Sequence, residues 1–162
     1  MIINIQPNYF NKNDVYKFIG LFAKKISGMV IWGKQNQQPS VNFDGETCSI
    51  TNAYELFIVM KHDGQRFRSY GESPIKNWIV SSVNSEHFEG HGAVMKLEIA
   101  QHFIQKFTRE GDTVLDCFSG CGTTAMACQS LGRHYIGFEI VQKYIDISEN
   151  RLEKSVQQVL EI

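Results

Sequence analysis

Apolar positions fall along this chain in two rhythms, short unbroken runs and helical spacings, and their order predicts most of its elements. Ile2 to Ile5 reads as a short strand, with Gln6-Pro7-Asn8-Tyr9-Phe10 as the turn after it. Val15, Phe18, Ile19, Phe22 and Ile26 line one face of a helix for which Asn13 is the expected cap. Met29 to Trp32 reads as a second buried strand, and Gly33 with the polar run Lys34 to Ser40 as a loop. Leu56 to Met60 is an unbroken apolar run inside the strand Tyr54 to Lys61. Between His62 and His91 no period is visible. That stretch holds Arg66, Arg68 and Lys76, which are candidates for phosphate contacts or equally a solvated surface. Phe67 and Trp78 are candidate anchors of the loop.

Helical spacing returns with Leu97, Ala100, Phe103, Ile104 and Phe107. Glu110-Gly111-Asp112 then turns the chain into a short buried strand, Val114 to Asp116. Phe118-Ser119-Gly120-Cys121-Gly122-Thr123-Thr124 follows, and Ala125 to Cys128 reads as a helix. His134 to Phe138 is the next strand and ends at Glu139. Val141, Tyr144, Ile145, Ser148, Leu152 and Val156 mark the inner face of a last helix.

The order strand, glycines, helix, strand and acid is that of a β-α-β unit with a nucleotide-type ligand site. Glycines between strand and helix let the backbone turn sharply and approach a ligand closely. A carboxylate at the end of the following strand can accept two ribose hydroxyls. A dinucleotide-binding loop fits less well. Ala125 is small enough for the third glycine position of that fingerprint, but Asp116 and Phe118 are left unexplained.

Composition narrows the picture further. A chain of 162 residues with 43% apolar content supports one domain with a sizeable core. A formal net charge of -1 argues against tight nonspecific DNA binding. Cys48, Cys117, Cys121 and Cys128 form no CxxC pair and no zinc-ligand spacing, so no metal is expected and free thiols in a reducing cytoplasm are. No apolar run has transmembrane length, and no membrane association is expected.

Asp116-Cys117-Phe118-Ser119-Gly120-Cys121-Gly122-Thr123-Thr124, then Leu131-Gly132-Arg133, Ile136-Gly137-Phe138-Glu139-Ile140, Tyr144 and Arg151-Leu152, resembles the DNA amino-methyltransferases. These are the adenine-N6 and cytosine-N4 enzymes that use S-adenosylmethionine, and their usual text is close to DPFSGSGTT, LGR, IGIEI, a tyrosine and RL. Cys117 stands at a usual proline and Cys121 at a usual serine. The segment His91 to Leu97 is similar to the family's His-Pro-rich stretch, with Gly92 and Lys96 at two usual prolines.

The resemblance implies an α/β fold: a Rossmann-like methyltransferase sheet, mostly parallel, with Val114 to Asp116 at its centre and an antiparallel edge near Leu56 to Met60. It implies S-adenosylmethionine as cofactor, held by Asp116, Phe118, Ser119, Gly120, Gly122, Thr123 and Glu139. In permuted members with the catalytic half first, an Asp-Pro-Pro-Tyr tetrad ends the catalytic strand and a Trp-x-Lys strand follows. Gln6, Pro7, Asn8 and Tyr9 occupy the matching place, followed by Trp32-Gly33-Lys34. The tetrad's acid and a backbone carbonyl hold the hydrogens of the exocyclic amine, and its aromatic stacks on the flipped base. Gln6 is neutral and one methylene longer than Asp, and Asn8 is less rigid than proline, so impaired catalysis is expected.

Residues 1–162 are expected to form one methyltransferase-like domain, with 62–91 as a target-recognition or linker loop. The start of the chain at the catalytic strand implies a sheet lacking one edge strand. DNA is the expected partner, bound weakly by this chain alone, and a second copy or a partner chain is expected to complete the sheet. The alternative is a catalytically inactive relative that binds cofactor or nucleic acid or acts through protein interaction.

Overall fold

A computed structural model describes residues 1–35, 53–63, 69–71, 73–82, 86, 88 and 94–160, with side chains as far as 155. They belong to two compact units, 1–67 with 75–83, and 68–74 with 84–162. The rest of the expected loop, Asn36 to Ser40, and Cys48, Arg66, Phe67, Arg68 and His91 lie outside the described residues.

The first unit contains β1 (Ile2–Ile5), α1 (Lys12–Leu21), a single 3-10 turn (Ala23–Lys25), β2 (Ile26–Gln35), β3 (Tyr54–Met60) and β4 (Trp78–Ser82). Its sheet runs in the order β1-β3-β2-β4. β3 is antiparallel to both neighbours, whereas β2 and β4 are parallel. The expectation of an antiparallel edge at Leu56 to Met60 is therefore corrected: β3 is antiparallel but interior. Its apolar run explains the place, because Phe57, Ile58, Val59 and Met60 are all buried and neither face could tolerate water. The edges of this sheet are β1, antiparallel to β3, and β4, parallel to β2, whose Trp-Ile-Val-Ser-Ser sequence is only partly buried. That strand sits in the stretch without visible period, and its five residues are too short and too polar to announce themselves.

Other boundaries shift for local reasons. The cap of α1 is Asn11, not Asn13, and the helix ends at Leu21. Ile26, expected on that helix, opens β2 and pairs with Met60. Gly33 and Lys34, expected in a loop, continue β2 through pairing with Tyr54 on one side and Val80 and Ser81 on the other. Gly33 is needed where it stands: a Cβ there would come within 3.0 Å of the Trp78 ring. Buried Trp32 donates its indole N–H to Ser81 Oγ at 2.8 Å, the partner a buried indole requires.

The second unit contains α2 (Leu97–Phe107), β5 (Thr113–Asp116), α3 (Thr123–Ser130), β6 (His134–Gly137) and α4 (Gln142–Leu160). β5 and β6 pair in parallel from Thr113–His134 to Asp116–Gly137, with α3 as the connection. The β-α-β unit is thus present as the sequence predicts. Among the described residues β5 pairs with β6 alone; β2–β4 and β5–β6 are parallel pairs, and β1–β3 and β2–β3 antiparallel ones. Ala100 and Ile104 of α2 pack on Ala127 and Cys128 of α3, with Met95, Leu97, Val114 and Leu131 around them. Small residues on α3 let the helices approach closely. Arg133 staples this core from below, donating to the Leu131 carbonyl and to the Thr108 hydroxyl and carbonyl. Among the described residues no helix is long and apolar enough to cross a membrane.

Candidate functional site

The loop between β5 and α3 is built by its own polar groups. Asp116 Oδ1 accepts the Phe118 N–H at 3.0 Å and fixes the first bend. Ser119 N–H donates to the Phe138 carbonyl at 2.9 Å, and Gly122 N–H to the Ser119 carbonyl at 2.9 Å. Gly120 and Gly122 have φ of 51° and 79°, the left-handed region where a Cβ is strained. Gly122 is the N-cap of α3, and its carbonyl accepts the Met126 N–H at 3.0 Å.

Glu139 joins this loop to the next helix. Its Oε2 accepts the Gly120 N–H at 2.9 Å. Its Oε1 accepts the N–H groups of Ile140 at 2.8 Å and Val141 at 2.9 Å, just ahead of α4. A carboxylate held by three backbone N–H groups has a fixed direction. Phe118 and Ile140, 91% and 98% exposed, stand as uncovered apolar side chains beside these polar groups in sequence. Thr123 is buried, and Ser119 lies against Gly137, where a Cβ would come within 3.1 Å of it.

Two thiols flank the loop without being reactive. Burial pushes the Cys121 thiol up from its ordinary value, opposed by Arg151 and reinforced by Glu139. Burial likewise raises Cys128 to about 11. Both stay protonated at neutral pH and serve as small apolar side chains.

All seven residues expected at the cofactor end, Asp116, Phe118, Ser119, Gly120, Gly122, Thr123 and Glu139, therefore fall on one loop and the strand end beside it. Gln6, Pro7, Asn8 and Tyr9 belong to the other unit, at the end of β1. There Asn8 is the organiser. Its Oδ1 accepts the N–H groups of Phe10 at 2.9 Å and Asn11 at 3.1 Å. Its own N–H donates to Asn11 Oδ1 at 2.7 Å, and its carbonyl accepts the Lys12 N–H at 3.0 Å. Asn11 Nδ2 closes the turn by donating to the Gln6 carbonyl at 3.1 Å. The turn is held by side-chain caps in place of a second proline. Pro7 is buried, whereas Tyr9 is 80% exposed, meets Phe10 edge to face and carries Lys12 Nζ 5.2 Å from its ring centre.

Sequence reasoning missed what holds the loop from behind. Arg151 donates to the Cys121 carbonyl and to Glu86, and Ser148 faces Gly122. Arg151 stood in the sequence as part of an Arg-Leu pair, but no spacing rule connects it to a loop 30 positions away.

The N6/N4 DNA methylase family profile matches residues 1–150. The type II methyltransferase M.Cfr9I of Citrobacter freundii is 33% identical over 138 residues, covering 82% of this chain and 46% of that protein. The PvuII cytosine-N4-specific DNA methyltransferase superposes with a TM-score of 0.73 at 16% identity, over 91% of this chain and 61% of its own. M1.HpyAVI, in a complex with S-adenosylmethionine, superposes with a TM-score of 0.66 at 23% identity, over 93% and 74%. The chain spans about half the length, or less, of the curated relatives it matches first. The fold is thus that of the Rossmann-like methyltransferases, and the chain belongs to the N6/N4 DNA methylase family.

Proposed function

We propose that this chain carries the cofactor loop and the base-facing turn of a DNA amino-methyltransferase, which moves a methyl group from S-adenosylmethionine to the exocyclic amine of adenine or cytosine. The observation that carries the reading is the fixed Glu139 carboxylate bound to the Gly120 N–H, on a loop with two glycines in the left-handed region. These residues suit a nucleoside. Glu139 offers acceptor oxygens for ribose hydroxyls, Gly120 carries no side chain to hinder close approach to the backbone, Gly122 makes room for Ser148 of α4 behind the loop, and Phe118 supplies an apolar surface. Asp116, Ser119 and Thr123 hold the loop in that shape. When bound, the cofactor supplies a methyl group on a sulfonium sulfur. The likeness to M1.HpyAVI in its S-adenosylmethionine complex supports the same assignment.

The second part of the proposal is the turn Gln6 to Tyr9. Asn8 is engaged in the turn itself; by their place in the tetrad, Gln6 is the group that would accept an amine hydrogen and Tyr9, 80% exposed, the stacking face. A neutral amide stabilises developing positive charge less than a carboxylate does, and one lost partner of this kind costs about 3 kcal/mol, or roughly a hundredfold in rate. Duplex binding by the chain alone is weak and salt-sensitive at a net charge of -1, with Lys34 to Thr51 and His62 to Lys76 as its contacts. In this reading 1–162 is one methyltransferase-like domain, 62–91 its target-recognition segment, and a second copy or partner chain completes the sheet. The setting is a cytoplasmic restriction–modification system.

The test is transfer of labelled methyl groups to unmethylated mixed-sequence DNA, with and without extract of the source cell. Slow incorporation that is lost in Gln6→Ala is the expected result. Incorporation indifferent to Gln6→Ala would remove the amine-holding role from this turn. No incorporation under either condition, by protein that binds the cofactor, would turn the reading to a catalytically inactive relative.

A further inference from the structure

Arg151 is the most heavily engaged side chain of the second unit that the proposed chemistry does not use. It rises from α4, and its side chain is only 11% exposed. One guanidinium nitrogen donates to the Cys121 carbonyl and, at 3.4 Å, to Thr123 Oγ1. The other terminal nitrogen donates to Glu86 Oε2 at 2.8 Å, and the guanidinium carbon lies 5.1 Å from the centre of the Phe88 ring. A planar fork can serve a carbonyl, a carboxylate and an aromatic face together, which a point charge on a flexible stem cannot.

We propose that Arg151 is a positioning residue that couples two segments: it sets the Cys121–Thr123 end of the cofactor loop and ties Glu86 and Phe88 to it. The inference rests on the loop being the cofactor site. The Cys121 carbonyl sits between the two glycines whose φ values shape the loop. Fixing that carbonyl fixes the peptide plane shared with Gly122 and hence the N-terminus of α3. Glu86 and Phe88 belong to the stretch 62–91 read above as the target-recognition segment. Among the described residues, the Arg151 side chain links the position of the Cys121 carbonyl to those of Glu86 and Phe88.

The experiment measures hydrogen exchange of the amides from Cys121 to Met126 in unliganded protein, S-adenosylmethionine affinity by calorimetry, and melting temperature. Wild type is compared with Arg151→Lys, Arg151→Gln and Glu86→Gln. Arg151→Lys is expected to speed exchange at these amides and to weaken cofactor binding about tenfold, with amides of α2 unchanged; that factor is about 1.4 kcal/mol. Arg151→Gln should be worse, and Glu86→Gln should show a smaller effect of the same pattern. Wild-type exchange and affinity in Arg151→Gln would overturn the proposal. So would faster exchange spread evenly over α2 and α3, since that marks a merely structural role. Failure of the wild type to bind S-adenosylmethionine would overturn the cofactor reading, while the exchange comparison still decides whether Arg151 sets the loop.

Discussion

Gly122→Ala is expected to be the most damaging single-methyl change in this chain. A Cβ on Gly122 would stand 2.0 Å from Ser148 Oγ and 2.8 Å from Ser148 Cβ, with the Ser148 Cα at 3.3 Å. The residue also has φ of 79°, which costs a side-chain-bearing residue roughly 1–2 kcal/mol. Overpacking of this kind adds about 1–3 kcal/mol, because either α4 or the loop must move. Together the two effects predict a fall in melting temperature of about 10 °C, at roughly 2–4 °C per kcal/mol for a chain of this size. The two causes are separable. A Ser148→Gly background removes the 2.0 Å and 2.8 Å contacts and leaves the 3.3 Å one with the helix backbone, so the alanine should then cost markedly less. Calorimetric melting of the four proteins checks this. A Gly122→Ala protein as stable as wild type would mean that the loop and α4 do not meet as described.

The second large effect is expected at Lys34 and Glu55. The two are joined by an ion pair in which both side chains are mostly buried, and Lys34 Nζ also lies 5.1 Å from the Trp32 ring centre. Breaking such a pair from one side leaves a desolvated charge without its partner. Lys34→Met alone is therefore expected to cost about 3 kcal/mol. Removing both charges, as Lys34→Met with Glu55→Leu, should recover most of that loss, since paired burial itself contributes little net stability. Denaturant melts of the single and double variants measure the coupling. Equal and additive losses would show that the pair is not energetically linked.

These two cases also mark how far the sequence could be read. The loop from Asp116 to Thr123, its flanking strand and helix, and Glu139 were legible because local chemistry dictates them: glycines where φ is positive, an acid at a strand end, apolar runs for strands. What joins distant positions was not legible. Trp32-x-Lys34 and Tyr54-Glu55 stood out as separate fragments, and only the β2–β3 register, Trp32 opposite Glu55, makes them two halves of one ion pair. Ser148 was visible on a helix face and Arg151 in an Arg-Leu pair, yet their contacts with Gly122 and Cys121 depend on how α4 returns over the loop. Asn8 was read as a loosened substitute for proline, whereas its side chain caps the turn, a role that needs Asn11 in register to be recognised. The interior place of β3 and the strand β4 were hidden because sheet order is a property of pairing, not of any one segment.

The central claim is that the loop from Phe118 to Gly122, with Glu139, holds S-adenosylmethionine. Calorimetric titration of that compound into the wild-type chain, beside Gly120→Val and Glu139→Gln, tests it most directly. Valine at φ of 51° would be strained and would put a branched side chain on the loop backbone, so binding should fall at least about a hundredfold, while circular dichroism stays that of the wild type. Glu139→Gln should also weaken binding, because the charge is lost and one of the two positions that accept the N–H groups of Gly120, Ile140 and Val141 becomes an NH2 donor. One site per chain in the wild type, lost in Gly120→Val, is the predicted result; equal affinity of the wild type and both variants would contradict the assignment.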